Sequence, residues 1–552
     1  MTRLTIALVA TCLALPAAAQ DNARNVIMMI PDGTSWEQFT LTRLWLGRPL
    51  ATDPILRGAV MTANHDSVIT DSAAAGTAFA SGHFSYTGAV GVLPGEPGLA
   101  ARAPIVPGTE YRPVASVLEA ARLSGRSVGT VVTATFTTAT NAVYIAHTTA
   151  RSAGPDIAEQ GAHQGLAVFL GGGLRDFLPE GVEEGRRTDG ANLVEELTAD
   201  GVSFLSTRDE MLAYQGSGPI MGFFAMHAMA PEVDRAVTGP TEPSLAEMTA
   251  TALSVLSQDP DGFFLMVEGS QIDWGGHQTD IATVLHDHVA FDEAVQVALD
   301  FAAADGNTLV IVAPDHNSGG MAIGNMSTYD TLPLSEDDIL GPIRALDASA
   351  MYVWEDLGIE DDPTIPAVQA AVREAWGVEF TDAQAQDVLD VLNREPRDED
   401  YDGLGEVYSR DFTHIGWVGH EHTGGEVPLF GFGPGAPAGL IAAPEIGQAV
   451  GAALGVDLAA VSDRLFAPAE EVFTGRTVTL DAANPADLVL RVEGNGQVAL
   501  LPVNRNVMIV DGVEQRLEGI VVHIEATGTT YVPREAGLLL GTLTGELPAI
   551  TR

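Results

Sequence analysis

Acidic and histidine side chains directly follow several of the apolar runs of this sequence. A single Asp after a strand is more often a helix cap than a metal ligand, so the number of such positions matters more than any one of them. Asp273 and His277 lie four residues apart, a spacing that places both on one face of a helix. Carboxylates combined with imidazoles suit a zinc-like ion. We therefore expect a metal site among these residues, which are Asp32, Glu268, Asp273, His277, Asp315 and His316.

The segment 68–77, VITDSAAAGT, contains a Ser that directly follows an Asp and opens a run of small residues. Small residues let the start of a helix approach a ligand closely, and the free backbone N–H groups there favour an anion. One interpretation of this segment is a nucleophilic Ser72 beside an anion site. The other is an Asp71 or Ser72 cap on an Ala-rich helix, and the local pattern does not decide between them.

Apolar, β-branched runs alternate with helical patterns along most of the chain, and each run ends in a polar or Gly-rich turn. This alternation predicts an α/β fold with a doubly wound, mainly parallel sheet covered by helices on both faces. In such a sheet, ligands bind just beyond the carboxyl ends of the strands, which is where the acidic and histidine residues lie. The predicted strands are 25–30, 127–134, 166–170, 262–267, 308–313 and 427–431, and the clearest helices are 114–123, 245–256 and 291–304.

Two segments interrupt this alternation. From about residue 320 to 416 the pattern is irregular, with an acidic helical stretch near 381–393 and an acid-rich loop at 395–402, and we interpret it as an insertion beside the working edge of the sheet. From 476 to 552, short β-type runs between Gly, Asn and Asp turns predict a small β-rich C-terminal unit. The predicted catalytic domain therefore covers 20–475. The runs in the last unit are 487–492, 507–510 and 520–524.

Residues 1–19 have the three parts of a secretory signal: Arg3, then an almost continuous apolar run, then the small residues 17–19. The apolar run is too short to span a membrane. We expect this segment to be removed and the protein to be periplasmic or secreted. The only cysteine of the chain, Cys12, lies in the segment, so no disulfide would stabilise the mature protein.

The composition excludes two broad classes of protein. With 46% apolar residues among 552, the chain is too apolar to be disordered. It has 74 acidic residues against 27 basic ones, all of them Arg, and a formal charge of −47, so we predict no nucleic-acid-binding surface. Removal of Arg3 with the signal would make this charge −48. We interpret the acidity without Lys as a feature of a saline habitat, where hydrated carboxylates keep a protein soluble.

The motifs occur in the order found in the alkaline phosphatases, and from Asp32 to about Pro434 the sequence resembles that family. The resemblance implies the fold predicted above and the hydrolysis of phosphate esters. The motifs that carry it are Asp32-Gly33, Asp71-Ser72, Ala146-His147 followed by Arg151, Gly171-Gly172-Gly173, Val267-Glu268-Gly269, Ile272-Asp273 with His277, Asp315-His316, and His422-Thr423-Gly424.

The resemblance also implies a role for each motif residue. Ser72 would be the nucleophile that is transiently phosphorylated, Arg151 would clamp two phosphate oxygens in a bidentate fork, and Asp71 would orient Arg151. Two zinc ions would activate the serine and stabilise the leaving oxygen. One zinc would be held by Asp273, His277 and His422, the second by Asp32, Asp315 and His316, and a magnesium-like ion by Asp32, Glu268 and Thr140.

Two positions depart from the family pattern. Thr138 stands where many relatives carry Asp or His two residues before the hydroxyl of the third metal site, which predicts a changed environment for the third ion. Trp274 stands where some relatives have Lys or His, and we expect product phosphate to leave faster without that charge. His420 is an alternative ligand to His422, but the residues after His422 fit the motif better.

The function favoured by these features is hydrolysis of small phosphate monoesters with broad specificity, because the ligands would contact mainly the phosphoryl group. Glu268, Thr140 and Arg151 favour monoesters over a second interpretation, a phosphodiesterase or another oxyanion-ester hydrolase on the same metal scaffold. A third interpretation is a non-catalytic acidic protein that binds metal or phosphate, but hard calcium sites use oxygen ligands rather than imidazole. The family is commonly homodimeric, and the sequence leaves the oligomeric state open.

Overall fold

Ten strands form the central sheet of the computed structural model, which describes residues 22–326, 328–391 and 402–551. Their order across the sheet is β14-β2-β13-β8-β1-β7-β3-β4-β6-β5. Within the described residues, β13 is antiparallel to both of its neighbours and the other nine strands run in one direction. The strands are β1 (Asn25–Pro31), β2 (Leu56–Met61), β3 (Ser127–Thr135), β4 (Val168–Gly172), β5 (Ser203–Leu205), β6 (Ile220–Phe223), β7 (Phe263–Gly269), β8 (Thr308–Val312), β13 (Glu426–Phe432) and β14 (Gly439–Ala442).

The sheet separates two apolar cores, one on each face. Successive side chains of a strand point to opposite faces, and the central strands are apolar at both sets of positions, as buried parallel strands are. In β1, Ile27 and Met29 lie in one core, whereas Val26, Met28 and Ile30 lie in the other. The predicted doubly wound α/β fold is therefore confirmed.

Helices cover both faces. The face of Val26 carries α2, α3, α4, α5 and α16, and the face of Ile27 carries α1, α8, α10 and the helices of the 320–416 segment. The helices up to the sheet's last strand are α1 (Trp36–Leu46), α2 (Ser72–Ser81), α3 (Val117–Leu123), α4 (Ala139–Ile145), α5 (Gly154–Ala162), α6 (Leu193–Ala199), α7 (Arg208–Ala213), α8 (Leu245–Leu256), α9 (Gln271–His277), α10 (Ile281–Asp305), α11 (Glu336–Ile343), α12 (Ala350–Glu355), α13 (Ile365–Trp376), α14 (Asp382–Asp390) and α15 (Asp402–Phe412). After it come α16 (Pro444–Leu454), α17 (Leu458–Leu465), α18 (Ala469–Val472) and α19 (Glu535–Leu539).

Two predicted helices differ from those observed. The helix expected at 291–304 is the second half of α10, which begins at Ile281 because the Asp280 carboxylate caps it by accepting from the backbone N–H of Ala282 at 2.9 Å. The helix expected from residue 114 begins at Val117, after Ser116 and Glu119 form a capping box.

The segment 320–416 packs against the main body. Its helices bury Trp354, Val368 and Tyr408 in the core on the Ile27 face. Two short strands, β10 (Ala322–Ile323) and β11 (Ile415–Gly416), pair with each other at its base. The acidic helix expected near 381–393 is α14, and residues 395–401 of the expected acid-rich loop lie outside the described residues.

The C-terminal residues form two small antiparallel sheets. One contains β16 (Thr477–Asp481), β17 (Val489–Gly494), β18 (Gln497–Pro502), β19 (Val507–Val510) and β20 (Val513–Arg516), and the other contains β15 (Ala467–Pro468), β22 (Thr529–Val532) and β21 (Val522–Ile524). Ile520, Val522 and Tyr531 lie in the same core as Met28 of β1. The C-terminal residues therefore share a hydrophobic core with the central sheet.

Among the described residues, no helix combines the length and the apolar character needed to cross a membrane. The predicted signal 1–19 lies outside the described residues.

Candidate active site

The carboxyl edge of the central strands collects the predicted metal ligands. β1, β7 and β8 are neighbours in the sheet, so Asp32, Glu268 and Asp315 come together where these strands end. His422 precedes β13, and because β13 is antiparallel to β8 its beginning lies at this same edge. The short strands β9 (Asn317–Ser318) and β12 (His422–Thr423) then pair with each other and hold His422 beside the segment that contains His316. The two imidazole rings stack with 3.6 Å between their centroids.

Ser72 is the first residue of helix α2. Asp71 caps this helix through a 3.0 Å bond from the backbone N–H of Ala74 to its Oδ1. Ser72 is buried, and its Oγ lies 3.0 Å from Nε2 of His316. The small residues of α2 allow close packing against α4, where a Cβ on Gly76 would lie 2.9 Å from Cγ2 of Val143. Asp71 is therefore the cap of α2, and Ser72, whose role as a nucleophile stays a prediction, contacts the candidate ligand His316.

Asp273, His277 and His422 form the first group of candidate ligands. Asp273 Oδ2 lies 3.5 Å from His277 Nε2, and Asp273 Oδ1 lies 3.6 Å from His422 Nε2. Nε2 of His277 is 3.1 Å from Nε2 of His422. The Nδ1 atoms of these rings donate to backbone carbonyls, from His277 to His420 at 2.6 Å and from His422 to Thr70 at 2.8 Å. The two Nε2 atoms that face each other are then the free ligand atoms, which is how carbonyl acceptors orient zinc-binding histidines.

A second group, Asp32, Asp315 and His316, lies deeper. Nε2 of His316 is 3.3 Å from Asp315 Oδ2 and 3.5 Å from Asp32 Oδ1. All three side chains are almost completely buried. The ligand atoms of this group lie within 4.8 Å of one another, and so do those of Asp273, His316 and His422. His316 therefore stands between the two groups, whereas the sequence assigned it to the second alone.

The third group contains Glu268, Asp32 and Thr140. The Thr140 hydroxyl donates to Asp32 Oδ2 at 3.2 Å. Glu268 is fully buried in the same crevice. The Thr138 hydroxyl lies 2.9 Å from that of Thr135, so the position that departs from the family pattern is occupied by a hydrogen-bonded pair of threonines.

Buried carboxylate oxygens without a hydrogen-bond partner converge on these groups. Within the described residues they include Asp32 Oδ1, Asp273 Oδ1, Asp315 Oδ2 and both oxygens of Glu268. A buried ionised carboxylate without a partner is costly, and such groups are normally paired or coordinate a metal. The donor set, oxygens with imidazole nitrogens, fits zinc-type ions in the first two groups and a harder ion in the third.

The pKa values of the isolated protein show the same need for positive charge. Burial, together with the charges of Asp315 and Asp273, raises the pKa of Asp32 well above its ordinary value, and burial with the charge of Asp315 raises the pKa of Glu268 to about 8. Burial alone would lower the pKa of His277, but the adjacent Asp273 outweighs it and raises that pKa to about 9. The raised pKa values of Asp32 and Glu268 reflect a lack of positive charge beside these carboxylates, which a bound cation would supply.

Arg151 and Asp71 lie at the mouth of the crevice. Nη1 of Arg151 donates to Asp71 Oδ2 at 3.1 Å, and the backbone N–H of Gly88 donates to the same oxygen at 3.0 Å. The Arg151 side chain is 39% exposed, so its guanidinium is accessible to an anion that enters. Asp71 thus anchors Arg151 and the start of α2 together.

His420 is turned away from the candidate ligands. Its Nδ1 donates to the backbone carbonyl of His277 at 2.9 Å, and its Nε2 lies 3.2 Å from Glu406 Oε2. The backbone carbonyls of His420 and Thr70, which orient the ligand histidines, were not predicted from the sequence. Main-chain acceptors carry no residue-type signal, so only the structure could identify them.

The fold thus brings a buried serine next to groups of candidate metal ligands at the carboxyl edge of the sheet. The family model described as alkaline phosphatase matches residues 23–456. The chain is 33% identical to alkaline phosphatase 3 of Bacillus subtilis (strain 168) over 461 residues, which cover 79% of this chain and 90% of that relative. The crystal structure of Thermus thermophilus alkaline phosphatase is similar with a TM-score of 0.68 and 29% identity, covering 79% of this chain and 92% of that chain.

The chain belongs to the alkaline phosphatase family. It is accordingly a metal-dependent phosphomonoesterase.

Proposed function

We propose that the protein hydrolyses phosphate monoesters through a phosphoserine at Ser72, with two zinc ions and one magnesium ion as cofactors. The observation that carries this proposal is the set of buried, unpartnered carboxylate oxygens that surrounds the Ser72–His316 contact among the described residues. Asp273, His277 and His422 would hold one zinc, Asp32, Asp315 and His316 the second, and Asp32, Glu268 and Thr140 the magnesium. When bound, these ions would lower the pKa of the serine hydroxyl and offset the negative charge of the substrate.

The reaction has two steps, transfer of the phosphoryl group to Ser72 and hydrolysis of the phosphoserine. Arg151, anchored by Asp71, holds two oxygens of the phosphoryl group and aims the phosphorus at Ser72. The Ser72 Oγ, after its proton is lost to solvent, attacks phosphorus, the bond to the alcohol oxygen breaks, and the alcohol oxygen takes up a proton from solvent. Water then attacks the phosphoserine, which restores the Ser72 hydroxyl and releases phosphate.

The positions of Glu268, Thr140 and Arg151 support monoesters over diesters. Glu268 and Thr140 belong to the third group of candidate ligands, and Arg151 places its guanidinium at the mouth of the same crevice. Together they suit a doubly charged phosphoryl group, which a diester does not have.

The test compares an aryl phosphate monoester with the matching diester and sulfate ester, after chelation and after add-back of zinc and magnesium. We expect chelator-sensitive turnover that is strongest on the monoester. Mass spectrometry of the acid-quenched enzyme should show one phosphoryl group on the peptide that contains Ser72. Preferential cleavage of the diester or sulfate by metal-replete protein would contradict the substrate assignment.

We also propose export to the periplasm or the medium, supported by the three-part signal at 1–19. Sequencing of the mature amino terminus should give Gln20 first.

A further inference from the structure

A cavity of about 870 Å³ lies between the two ends of the 320–416 segment and the loop that follows it. Residues from the strand pair β10–β11, from α15 and from the loop 416–420 line it. Pockets that enclose small organic ligands have volumes of about 300 to 1,000 Å³. The cavity is therefore large enough for the organic part of a substrate.

The cavity shares its wall with the first group of candidate metal ligands. His420 lines the cavity and is joined to His277 by two hydrogen bonds, one from each ring to the other residue's carbonyl. Gly320 also lines the cavity. It lies so close to strand β12, which contains His422, that a Cβ on Gly320 would be 2.9 Å from Cγ2 of Thr423. Only two residues separate the lining residue Val418 from the segment 421–423, which contains His422.

The candidate ligands next to the cavity wall are also more exposed than those deeper in the crevice. The His277 side chain is 29% exposed and that of His422 is 14% exposed, whereas those of His316 and Asp32 are 1% and 3% exposed. Ser72 lies against the closed side, in contact with His316. An alcohol that leaves opposite the attacking Ser72 would therefore point towards His277 and the cavity.

The chemistry of the lining is mainly apolar. Met326, Trp417 and Val418 contribute large apolar surfaces, and Val418 is 79% exposed. Exposed apolar side chains of this size at the rim of a pocket are typical of ligand sites, and they contrast with the acidic composition of the chain.

The charged groups in the wall are paired with other protein groups. Arg410 donates to Asp387 at 2.9 Å and to Asp411 at 2.7 Å, and Glu406 accepts from His420 at 3.2 Å. They would not require a charged partner from the substrate.

We propose that this cavity is the subsite for the alcohol part of the phosphate monoester and that it favours a bulky, apolar alcohol such as an aromatic one. This inference rests on the proposed function, and it narrows the broad specificity expected from the sequence. Trp417 and Val418 would contact the alcohol, while the phosphoryl group stays with Ser72 and Arg151.

The experiment measures kcat/KM for 2-naphthyl phosphate and for glycerol 2-phosphate with the full-length, metal-replete enzyme. The ratio of the two values is compared between wild type and variants, because the intrinsic reactivities of the esters then cancel. Val418→Ser removes apolar contact, and Ala322→Trp fills the cavity from its β10 wall. Val513→Ser, at a similarly exposed valine in β20, is the matched control.

We expect the naphthyl-to-glycerol ratio to fall about fivefold or more in Val418→Ser and in Ala322→Trp, and to stay at the wild-type value in Val513→Ser. Metal content and melting temperature of each variant verify that it is folded. A ratio unchanged in both folded cavity variants would overturn the subsite. Wild-type enzyme that hydrolyses neither ester would instead overturn the proposed function.

Discussion

The hydroxyl oxygen of Ser72 lies 3.0 Å from Nε2 of His316, and both side chains are buried. Ser72 opens helix α2, whereas His316 follows strand β8, so two distant parts of the chain meet at this contact. His316 is in turn 3.3 Å from Asp315 and 3.5 Å from Asp32. The contact therefore joins the proposed nucleophile to the second metal group.

Ser72→Ala should abolish turnover while the metal groups stay intact. We expect kcat to fall by about 10³-fold or more, since alanine has no hydroxyl that could attack phosphorus. Zinc content measured by mass spectrometry should equal that of wild type, because the predicted ligands are unchanged. Ser67→Ala in the same segment is the control, and wild-type turnover in Ser72→Ala would contradict the assignment.

Arg151→Lys and Arg151→Ala should both lose catalytic efficiency, although lysine keeps the positive charge. A guanidinium can hold two phosphate oxygens at once and an ammonium cannot. We expect kcat/KM to fall by about tenfold or more in both variants, together with weaker inhibition by inorganic phosphate. Equal phosphate inhibition constants in wild type and Arg151→Lys would show that the bidentate contact does not form.

Chelation should lower the melting temperature, and zinc with magnesium should restore it. The buried carboxylates Asp32, Asp315 and Glu268 lie close together, and bound cations remove their mutual repulsion. Differential scanning calorimetry of apo and reloaded protein checks this. The His422→Ala variant should bind less zinc, and its melting temperature should rise less when the metals are added back. An identical melting temperature with and without metal would contradict the site.

Much of this site could be predicted from the sequence, because parallel strands buried on both faces give apolar runs whose ends are easy to find. Asp32, Glu268 and Asp315 were located in that way. The direction of β13 could not be predicted, since an apolar run has the same composition in either direction. The way in which β13 brings His422 to the edge therefore emerged only from the structure. Strand β2, which lies between the edge strand β14 and β13, was also missed, because it lacks a continuous apolar run.

His288→Leu should stabilise the protein. His288 is buried in α10 against Phe39, and among the described residues neither of its ring nitrogens has a hydrogen-bond partner. Burial of an unsatisfied polar group costs about 1–3 kcal/mol, so a leucine of similar size should raise the free energy of unfolding by about that much. Denaturant titration at pH 7.5 measures it.

The advantage of the leucine variant should grow in acid. Burial and the charge of Arg43 lower the pKa of His288 to about 3. Below about pH 6.5 this histidine binds a proton in the unfolded state but not in the folded state. The free energy of unfolding is therefore highest above that pH and falls as the pH decreases towards 3. At pH 5 the loss is about 2 kcal/mol. A wild-type-to-variant difference that stays constant between pH 7.5 and 5 would contradict this reasoning.

A chain that ends at residue 475 should be unstable or insoluble. Ile520 and Val522 fill part of the core on the Val26 face, and Arg505 bridges to Glu159 at 2.7 Å and to Glu196 at 3.0 Å. Truncation exposes that core. Arg516→Ala, which removes one exposed ion pair with Asp200, is the mild control. A soluble truncated enzyme with full activity would show that the unit is dispensable.

The first half of α10 was not predicted from the sequence, because burial hides its helical pattern. Between Ile281 and Phe291 the helix is buried on nearly all sides, so its sequence lacks the polar stripe that reveals a surface helix. Apolar residues at helical spacing gave a better signal where the helix surface was partly solvated, as in α8, whose predicted bounds 245–256 match those observed.

The first predicted ligand, Asp32, follows the first strand, and the last, His422, precedes β13 near the far end of the sheet's chain. A ribosome-bound fragment that ends before His422 thus has no complete first metal group. Such long sequence separation also slows folding, because a large loop must close before the contacts form. Metal loading then becomes a late event in the life of each molecule, and the metal supply that matters is that of the compartment where folding finishes.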